Sequence, residues 1–530
     1  MRRWNGWGEE TETYELRAGA LALLRERVGE AKPVRDATLD EALKQVPAAR
    51  LPAGSPFNTD PEVRLRHTRG HSFPDWVAMR FGRLGPFPNG VAFPENHQQA
   101  AEALSAAKRA GATVIPYGGG TSVVGHLNVP AAGKPVVSIS LERMNRLLDL
   151  DESTWLARFG AGTAGPGVEK QLSERGYVLG HFPQSWEYST VGGWVVTRSS
   201  GQQSLRYGRI EQMFDSGRLI TPRGEMSIGG APASSAGPDL RECLMGSEGR
   251  LGLLTEATVR VRPLPQHESF HAVFFPNWEA GFGAMRDLAQ SGLPLSMLRM
   301  SNGVETETQL MLAGEGAAIQ WLKRYLDWRG ASSGRCMMML GATGSRRETA
   351  FALSGTKEIT RRNGGIWIGT AIGKKWAKNR FHGVYVRNAA WEHGYAIDTV
   401  ETAVNWPKAT ALMKAVEQAA RDAMAKDNER VHAFTHLSHV YRQGCSVYSS
   451  FIFRAAPTLE QNMERWARMK KAVSEAIVAH GGTISHQHGV GVDHAPYLPA
   501  EKGALGMDLI KAMARELDPE QIMNPGKLFA

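Results

Sequence analysis

A run of three glycines after a short β-branched strand is the strongest chemical signal in the sequence. Residues 116–122 read Pro-Tyr-Gly-Gly-Gly-Thr-Ser and follow Thr-Val-Ile at 113–115. Glycines allow positive φ angles and close approach of a ligand, and successive backbone N–H groups with nearby hydroxyls bind anions. The spacing is neither that of the P-loop nor that of the Rossmann fingerprint. Taken alone, the segment fits a diphosphate cradle and a plain glycine turn equally well.

Two further segments rich in glycine, serine and threonine follow in the same part of the chain. One is PQSWEYSTVGGW at 183–194 with TRSSG at 197–201, and the other is GSEGRLGLLTEA at 246–257. Small residues and backbone donors in three such loops can line one extended groove. A dinucleotide with a diphosphate and a flat ring needs a groove of that shape.

Two histidines in the sequence SHQHGVG at 485–491 are candidates for acid–base chemistry. If this run is a strand, His486 and His488 point to the same side, because side chains alternate along a strand. Two neutral imidazoles act as a base and as a hydrogen-bond donor near neutral pH. A structural role and a metal pair are the alternatives, and the sequence offers no carboxylate or third histidine nearby for a metal.

Tyr448 lies in CSVYSSFIF, within a predicted hairpin at 434–454. Alternation places it on the polar face of its strand, opposite the apolar side chains. A phenol there can donate or accept a proton, and a packed tyrosine is the alternative.

Two arginines lie among apolar residues, Arg299 in SMLRM and Arg387 in VYVRN. A buried arginine needs an anionic partner, because an unpaired buried charge is costly. That partner is either a structural carboxylate or the phosphate or carboxylate of a substrate held by both arms of the guanidinium.

The composition is that of a globular protein with an ample core. The chain has 530 residues, of which 42% are hydrophobic and 22% charged, and its length suggests roughly two to four domains. No run approaches the ~18 apolar residues of a membrane-spanning helix. Cys243, Cys336 and Cys445 lie far apart without metal or disulfide spacing. We therefore expect a reducing, cytoplasmic compartment.

The net charge of +9 arises from 62 Lys and Arg against 53 Asp and Glu. This excess suits an anionic substrate or an anionic membrane surface, and a plain solvated basic surface is the alternative. The sequence has no dense basic tract with interleaved aromatic residues, so we expect no nucleic-acid partner.

Secondary-structure patterns divide the chain into four parts. Residues 1–85 form a mixed N-terminal segment with a short amphipathic helix near 15–30. Short strands and helices alternate over 86–264, and strands alternate with long helices over 265–480. Residues 481–530 are glycine-rich and then helical. This pattern indicates an α/β or α+β architecture.

The three glycine-rich segments occur in the order PYGGGTS, STVGGW and GSEGRLG. In this order they resemble the FAD-binding domain of the p-cresol methylhydroxylase (PCMH) and vanillyl-alcohol oxidase type of flavoprotein. From about residue 69 to the C-terminus, the chain is similar to the alkylglycerone-phosphate synthase (alkyldihydroxyacetonephosphate synthase) group of that superfamily. The resemblance implies an α+β, two-domain flavoprotein with a PCMH-type FAD-binding domain at 86–264. It also implies a substrate (cap) domain with an antiparallel sheet and flanking helices at 265–480, and a segment at 481–530 that returns to the flavin.

The cofactor that the resemblance implies is FAD, bound non-covalently, with its diphosphate on 116–122. Other members of the superfamily attach the flavin covalently, and His71, His126 and His181 lie near the relevant segments. The implied cofactor-binding residues are Pro116, Tyr117, Gly118, Gly119, Gly120, Thr121, Ser122, Gln184, Ser185, Ser189, Thr190, Gly193, Thr197, Arg198, Ser200, Glu248, Gly249, Leu251, Gly252 and Leu254.

The resemblance also assigns the active site. Tyr448 matches the catalytic tyrosine of the group, Arg387 matches the anchor of a substrate phosphate, and Arg299 matches an arginine beside the flavin. His486 and His488 match the outer members of a triple histidine whose middle position is a glutamine in this chain. We therefore expect four catalytic residues, one substrate-binding arginine and no metal.

The activity that the resemblance implies is exchange of the acyl group of an acyl dihydroxyacetone phosphate for a fatty alcohol, through a flavin N5 adduct, in ether lipid biosynthesis. A homodimer is implied as well, and the basic charge suits peripheral contact with the inner face of a membrane.

An FAD-dependent dehydrogenase or oxidase of a D-2-hydroxy acid or similar small hydroxylated substrate is the alternative. The C-terminal sequence LDPEQIMNPGKLF, the glutamine at position 487 and the lack of a peroxisomal ending favour it. A non-catalytic nucleotide-binding module is the third hypothesis, and the candidate tyrosine, histidines and arginines argue against it.

Overall fold

The computed structural model describes residues 1–131, 133–314 and 316–529. Positions 132, 315 and 530, which fall inside the predicted domains, lie outside the described residues. Within the described residues, three larger sheets carry the architecture. They confirm the α+β fold class, with an antiparallel cap sheet that helices flank.

The first sheet is parallel and has the strand order Gly90–Ala92, Val136–Ser140 and Thr113–Tyr117. Every residue of Val136–Ser140 is buried, as expected for a parallel strand covered on both faces. Helix His97–Arg109 packs its alanine-rich face on this sheet, and the side chain of Asn96 caps its first turn. The glycine segment begins where the strand Thr113–Tyr117 ends.

The second sheet is antiparallel, with the order Leu147–Asp151, Leu156–Gly160, Leu253–Arg260, Phe214–Thr221 and Gly224–Gly229. Helices Gly165–Ser173 and Val191–Thr197 pack against it around the buried Phe159, Trp194 and Phe214. A two-stranded ladder pairs Tyr177–Val178 with Arg262–Pro263.

The third sheet has seven strands, all antiparallel, in the order Ile366–Trp367, His267–Phe275, Cys336–Gly344, Met297–Ser301, His432–Leu437, Gly444–Arg454 and Tyr395–Asn405. Helices Trp278–Gln290, Arg346–Arg362, Trp406–Ala425 and Leu459–Ala479 cover one face and enclose the largest core. Val447, Phe451 and Phe453 point into that core, so Tyr448 faces the other way. The hairpin and the alternation predicted around Tyr448 are confirmed.

The remaining helices are short or lie at the periphery of the sheets. They are Ala18–Arg27, Leu39–Leu43, Pro61–Arg66, Phe73–Arg80, Ser204–Tyr207, Ile210–Met213, Leu240–Leu244, Gly303–Leu312, Ala317–Trp328, Ala371–Asn379, Val386–Glu392 and Leu498–Leu517, with 3₁₀ turns at His382–Tyr385 and Ala495–Tyr497. No helix among the described residues is both long enough and apolar enough to cross a membrane.

The C-terminal segment contacts the FAD-side loops. The side-chain amide of Asn524 donates to the carbonyl oxygen of Glu248 at 2.8 Å, and Nη1 of Arg250 donates to the carbonyl oxygen of Met523 at 2.9 Å. The three sheets lie within 90–140, 147–260 and 267–454. The domain boundaries at 86, 265 and 481 stay predictions.

The segment 485–491 is irregular and not a strand. Gly489 and Gly491 have φ angles of +82° and +53°, which a strand does not use. The expectation that His486 and His488 share one side rested on a strand here, and the structure does not provide one.

Candidate active site

One cavity of about 560 Å³ lies between the glycine-rich loops and the polar face of the seven-stranded sheet. Cavities of this size hold cofactors and substrates. Eighteen of the predicted cofactor-binding residues line it: Pro116, Tyr117, Gly118, Gly119, Gly120, Thr121, Ser122, Gln184, Ser185, Ser189, Thr190, Gly193, Thr197, Ser200, Glu248, Gly249, Gly252 and Leu254. We call it the substrate–cofactor cavity.

Arg198 and Leu251, also predicted to bind the cofactor, do not line this cavity. Arg198 follows helix Val191–Thr197 in the left-handed conformation (φ 53°), and its Nε donates to the Met245 carbonyl oxygen at 3.0 Å. Leu251 packs in the core beside the second sheet. Both residues line a second cavity of about 830 Å³ instead.

The glycine segment fits an anion cradle. A Cβ on Gly119 would lie 1.8 Å from the carbonyl oxygen of Tyr188, and Gly120 has a φ angle of +70°. Only glycine therefore permits the close approach of the loops 116–122 and 188–190. The backbone N–H groups from Gly118 to Val123 have no hydrogen-bond partner among the described residues, and all of these residues line the cavity. Such a run of free donors suits a diphosphate, so the residues fit FAD.

Tyr448 lies at the cap side of the cavity among imidazoles. Its ring stacks on His436 with a centroid distance of 4.7 Å and meets His488 edge-on at 5.8 Å. Burial raises the pKa of Tyr448 to about 12, so the phenol is protonated at neutral pH. Burial lowers the pKa of His488, which favours the neutral imidazole that accepts a proton.

Both candidate arginines line the cavity, but they differ in their hydrogen-bond partners. Arg299 Nη2 donates to Glu305 at 2.7 Å and lies 3.1 Å from His436 Nδ1, so its partner is a structural carboxylate. Arg387 Nη1 donates to the carbonyl oxygen of His71 at 2.6 Å, whereas its Nε and Nη2 have no partner among the described residues. Burial lowers the pKa of Arg387 to about 10, which leaves it charged at neutral pH. A buried guanidinium of this kind can bind an anion.

His486 does not line the substrate–cofactor cavity, contrary to the expectation of a catalytic pair. It lines the second cavity, with Nε2 2.6 Å from the hydroxyl of Tyr441. His488 lines the first cavity, so the two side chains face different cavities.

His436, His439 and Glu401 are site residues that sequence reasoning missed. His436 and His439 line the cavity, and Glu401 is fully buried behind it. In the sheet, both Glu401 and His436 pair directly with Tyr448. The period-two alternation in His-Ala-Phe-Thr-His at 432–436 is a sequence signal that could have identified His436.

One cluster in the described part of the chain brings metal-ligand atoms together. The ligand atoms of Glu401, His439 and His486 lie within 4.8 Å of one another. Arg209 Nη1 lies 3.2 Å from His486 Nε2, and Glu401 already accepts hydrogen bonds from Ser438 and Gln487. A guanidinium so close to a ligand atom opposes a divalent cation, and the absence of a metal stays a prediction.

The cavity continues into an apolar arm that the sequence did not reveal. It is lined by Leu16, Ala20, Leu23, Leu24, Leu312, Ala390, Ile397, Phe434 and Ile452. A helix is present within the predicted range 15–30 as Ala18–Arg27, and its buried residues Ala20, Leu23 and Leu24 form one wall. The opposite wall comes from residues more than 280 positions away, so no local pattern signals the contact.

The three histidines considered for covalent flavin attachment differ in position. His71 and His126 line the substrate–cofactor cavity, and His181 does not. His181 is fully buried, with Nε2 3.1 Å from the hydroxyl of Ser199.

Comparisons with known proteins agree with this geometry. Residues 88–230 match the family described as "FAD binding domain", and residues 264–528 match "FAD linked oxidases, C-terminal domain". The chain is 31% identical over 498 residues to the alkyldihydroxyacetonephosphate synthase of Dictyostelium discoideum, covering 92% of this chain and 80% of the relative. The synthase of Caenorhabditis elegans is also 31% identical, covering 89% and 81%. A mitochondrial D-lactate dehydrogenase (cytochrome) of Arabidopsis thaliana is 24% identical, covering 85% and 75%.

Solved structures also show similarity to an alkyldihydroxyacetonephosphate synthase. An alkyldihydroxyacetonephosphate synthase superposes with a TM-score of 0.84 at 25% identity, covering 99% of this chain and 98% of that chain. A p-cresol methylhydroxylase superposes with a TM-score of 0.66 at 13% identity, covering 94% and 98%, which shows the shared fold. The resemblance inferred from the three glycine-rich segments is thus confirmed, and the cofactor is FAD. This chain belongs to the alkyldihydroxyacetonephosphate synthase family of FAD-dependent enzymes.

Proposed function

We propose that this chain exchanges the acyl group of an acyl dihydroxyacetone phosphate for a fatty alcohol and forms an alkyl dihydroxyacetone phosphate, the product named by its relatives. One observation carries the proposal: a single cavity joins a buried arginine with free N–H groups to an apolar arm. A substrate with a phosphate at one end and a hydrocarbon chain at the other matches both ends.

Arg387 is the proposed phosphate anchor. Its free Nε and Nη2 offer parallel donors that match two phosphate oxygens. The guanidinium is held 4.5 Å above the ring of Trp76 and by the His71 carbonyl oxygen, so little side-chain freedom is lost on binding. The apolar arm would receive the hydrocarbon chain of the acyl donor and then that of the alcohol.

FAD, when bound, supplies the ring against which the substrate carbon reacts. The residues lining the glycine-rich loops would hold it, with the diphosphate on 116–122 and without a covalent bond. His488 would take the proton lost by the substrate, because its imidazole is neutral and faces the cavity. Tyr448 would donate a hydrogen bond to an oxygen of the reacting group, because its raised pKa keeps the phenol protonated. Arg299 would lie beside this group, and its ion pair with Glu305 holds the guanidinium in place.

The dehydrogenase alternative is less favoured. The dehydrogenase relative is 24% identical, against 31% for the synthases, and a small hydroxy acid would leave the apolar arm unfilled.

An anaerobic titration separates the two activities. Bleaching of the flavin by palmitoyl dihydroxyacetone phosphate, reversed by hexadecanol without an electron acceptor, supports the synthase. Bleaching by D-lactate that needs an acceptor for reversal would support the dehydrogenase.

Peripheral contact with an anionic membrane surface is part of the proposed function. Trp321 and Trp328 on helix Ala317–Trp328 are 66% and 80% exposed, and Arg324 and Arg329 beside them are also exposed. Aromatic and basic side chains together favour a lipid interface. The preceding helix ends at Leu312, which lines the apolar arm, so this surface lies near the route of a lipid substrate.

A vesicle assay tests this surface. The Trp321→Ser, Trp328→Ser double variant should no longer pellet with phosphatidylglycerol vesicles, whereas Leu505→Ser, Leu509→Ser, which changes two other exposed apolar residues, should pellet normally. Equal pelleting of both variants contradicts the proposed contact.

The family likeness supports a homodimer, which light scattering of the purified protein would measure. The three unbridged cysteines support a reducing, cytoplasmic compartment, which cell fractionation would test.

A further inference from the structure

Three successive residue pairs on two neighbouring strands of the seven-stranded sheet line the substrate–cofactor cavity. They are Tyr448 with His436, Ser450 with Phe434, and Ile452 with His432. Alternate residues of a strand face the same side and each residue rises by about 3.3 Å, so the third pair lies about 13 Å from the first. The first pair contains the candidate catalytic Tyr448, and the third lies in the apolar arm.

His432, in the third pair, is a polar residue among the apolar walls of the arm, and its protonation follows from its contacts. The hydroxyl of Thr308 donates to the carbonyl oxygen of Val304 at 2.7 Å and lies 3.0 Å from His432 Nε2. A hydroxyl has a single proton, so Thr308 accepts a hydrogen bond from Nε2–H. Burial lowers the pKa of His432 to about 4, which keeps the ring neutral at neutral pH. The other nitrogen, Nδ1, therefore carries no proton and acts as an acceptor.

This acceptor has no donor within the protein. Nδ1 of His432 has no hydrogen-bond partner among the described residues and keeps some accessible surface, and the ring lines the cavity. An unsubstituted hydrocarbon chain in the arm would displace water from Nδ1 and offer no donor in return. A buried acceptor without a partner is costly, whereas a ligand group that replaces the hydrogen bond of the water avoids this cost. A chain with a donor at this point should therefore bind better than one without.

The surroundings of His432 define the chemical class and the position of this donor. Arg27 and Arg421 also lower the pKa of His432, so a positively charged ammonium is disfavoured there and a neutral hydroxyl is suited. A separation of about 13 Å corresponds to about eleven bonds of an extended chain, because three bonds span at most about 3.6 Å. The matching hydroxyl lies on about the tenth to twelfth carbon from the reacting oxygen.

We propose that the apolar arm selects long-chain alcohols with a mid-chain hydroxyl group and that His432 Nδ1 accepts the hydrogen bond from this hydroxyl. This inference rests on the proposed function, because that reaction places the chain of the alcohol in the arm. His432 contacts the chain far from the reacting atoms and determines specificity without taking part in the chemistry. Thr308 acts through His432, because its hydroxyl holds the proton of the ring on Nε2.

A competition experiment tests this selection. The holoenzyme receives palmitoyl dihydroxyacetone phosphate with equal amounts of octadecan-1-ol and octadecane-1,12-diol, and mass spectrometry gives the ratio of the two ethers. That ratio equals the ratio of the kcat/KM values, and we expect the wild type to prefer the diol by about 3- to 10-fold, the effect of one neutral hydrogen bond.

Three variants assign the preference to the acceptor, and comparing their ratios cancels the different partitioning of the two alcohols into detergent. His432→Phe keeps an aromatic ring without the acceptor, so the preference should disappear. Thr308→Val no longer fixes the proton on Nε2, so the preference should fall in part. Ile452→Val is the control, because it changes the neighbouring wall position without touching the acceptor, and it should keep the preference.

A readout independent of turnover is the nitrogen-15 spectrum of His432, assigned by its loss in His432→Phe. We expect an unprotonated Nδ1 whose signal moves when the diol is added and stays unchanged with octadecan-1-ol. Ether formation without preference for the diol, or a preference that survives in His432→Phe, overturns this inference alone. No ether from either alcohol overturns the proposed function, and an Nδ1 signal that the diol leaves unchanged then overturns the inference as well.

Discussion

Arg387 Nη1 donates to the carbonyl oxygen of His71 at 2.6 Å, whereas the buried Nε and Nη2 of the same guanidinium have no hydrogen-bond partner among the described residues. Arg299, the second buried arginine of the site, is neutralised by Glu305. The sequence presents both arginines in similar apolar surroundings, yet among the described residues only Arg299 forms an ion pair with a carboxylate.

Arg387→Lys should weaken selection for phosphate. Lysine keeps the charge but loses the planar pair of donors, and a hydrogen bond to a charged group is worth about 1.5–3 kcal/mol. We expect kcat/KM for palmitoyl dihydroxyacetone phosphate to fall by about 10- to 100-fold. Activity with the unphosphorylated analogue, measured in parallel, should change little. An equal loss with both substrates would show that Arg387 does not bind the phosphate.

Tyr448→Phe should reduce kcat while the protein still binds flavin. The phenol is protonated at neutral pH because burial raises its pKa to about 12, and removal of a positioned acid typically costs about 10²–10⁴-fold in rate. The phenyl ring retains the stacking on His436. Steady-state kinetics with a flavin absorbance spectrum provide the measurement. A kcat within about twofold of the wild type would exclude a chemical role for the hydroxyl.

Gly119→Ala should reduce flavin binding. The added Cβ would lie 1.8 Å from the Tyr188 carbonyl oxygen, which forces the two loops of the cradle apart. Loss of one hydrogen bond to a diphosphate weakens binding by about 10- to 100-fold. The control is Gly167→Ala, on helix Gly165–Ser173, where a Cβ meets only ordinary contacts of 3.5 Å or more. The ratio of flavin to protein absorbance compares the variants, and equal ratios would contradict the assignment of the cradle.

Acid should destabilise the protein through its buried neutral histidines. Burial lowers the pKa of His181 to about 3, and the unfolded value is about 6.5. Between these values the unfolded state binds the extra proton, so stability is fully present above pH ~6.5 and decreases as the pH falls. His181→Asn should make this decrease shallower by up to about 1.4 kcal/mol per pH unit in the free energy of unfolding by urea. The control is His393→Asn, at an exposed position. If the free energy of unfolding depends on pH in the same way in both variants, burial of His181 does not cause the acid destabilisation.

The sequence was most informative where local rules decide the structure. The long helices expected within 265–480 are present, among them Trp278–Gln290 and Ala317–Trp328, because each has a clear apolar periodicity over many residues. Tyr448 was placed on the polar face of its strand because alternation has a period of two. The three glycine-rich segments indicated FAD through their resemblance to a known FAD-binding domain, which the family match confirms.

The sequence failed where backbone conformation or distant partners decide the structure. Arg198 has a positive φ angle, and the segment 485–491 is irregular where a strand was expected, so the side chains of Arg198 and His486 do not take the expected directions. Glu401 and the apolar arm arise from contacts between segments far apart in the chain, and no local pattern encodes those.

The most direct test of the central claim is the fate of the alcohol oxygen. The purified holoenzyme is incubated with palmitoyl dihydroxyacetone phosphate and hexadecanol labelled with oxygen-18, without an electron acceptor, and the products are analysed by mass spectrometry. The account predicts labelled hexadecyl dihydroxyacetone phosphate and unlabelled palmitate in equal amounts. Absence of the labelled ether, together with acceptor-dependent oxidation of a 2-hydroxy acid by the same preparation, would contradict it.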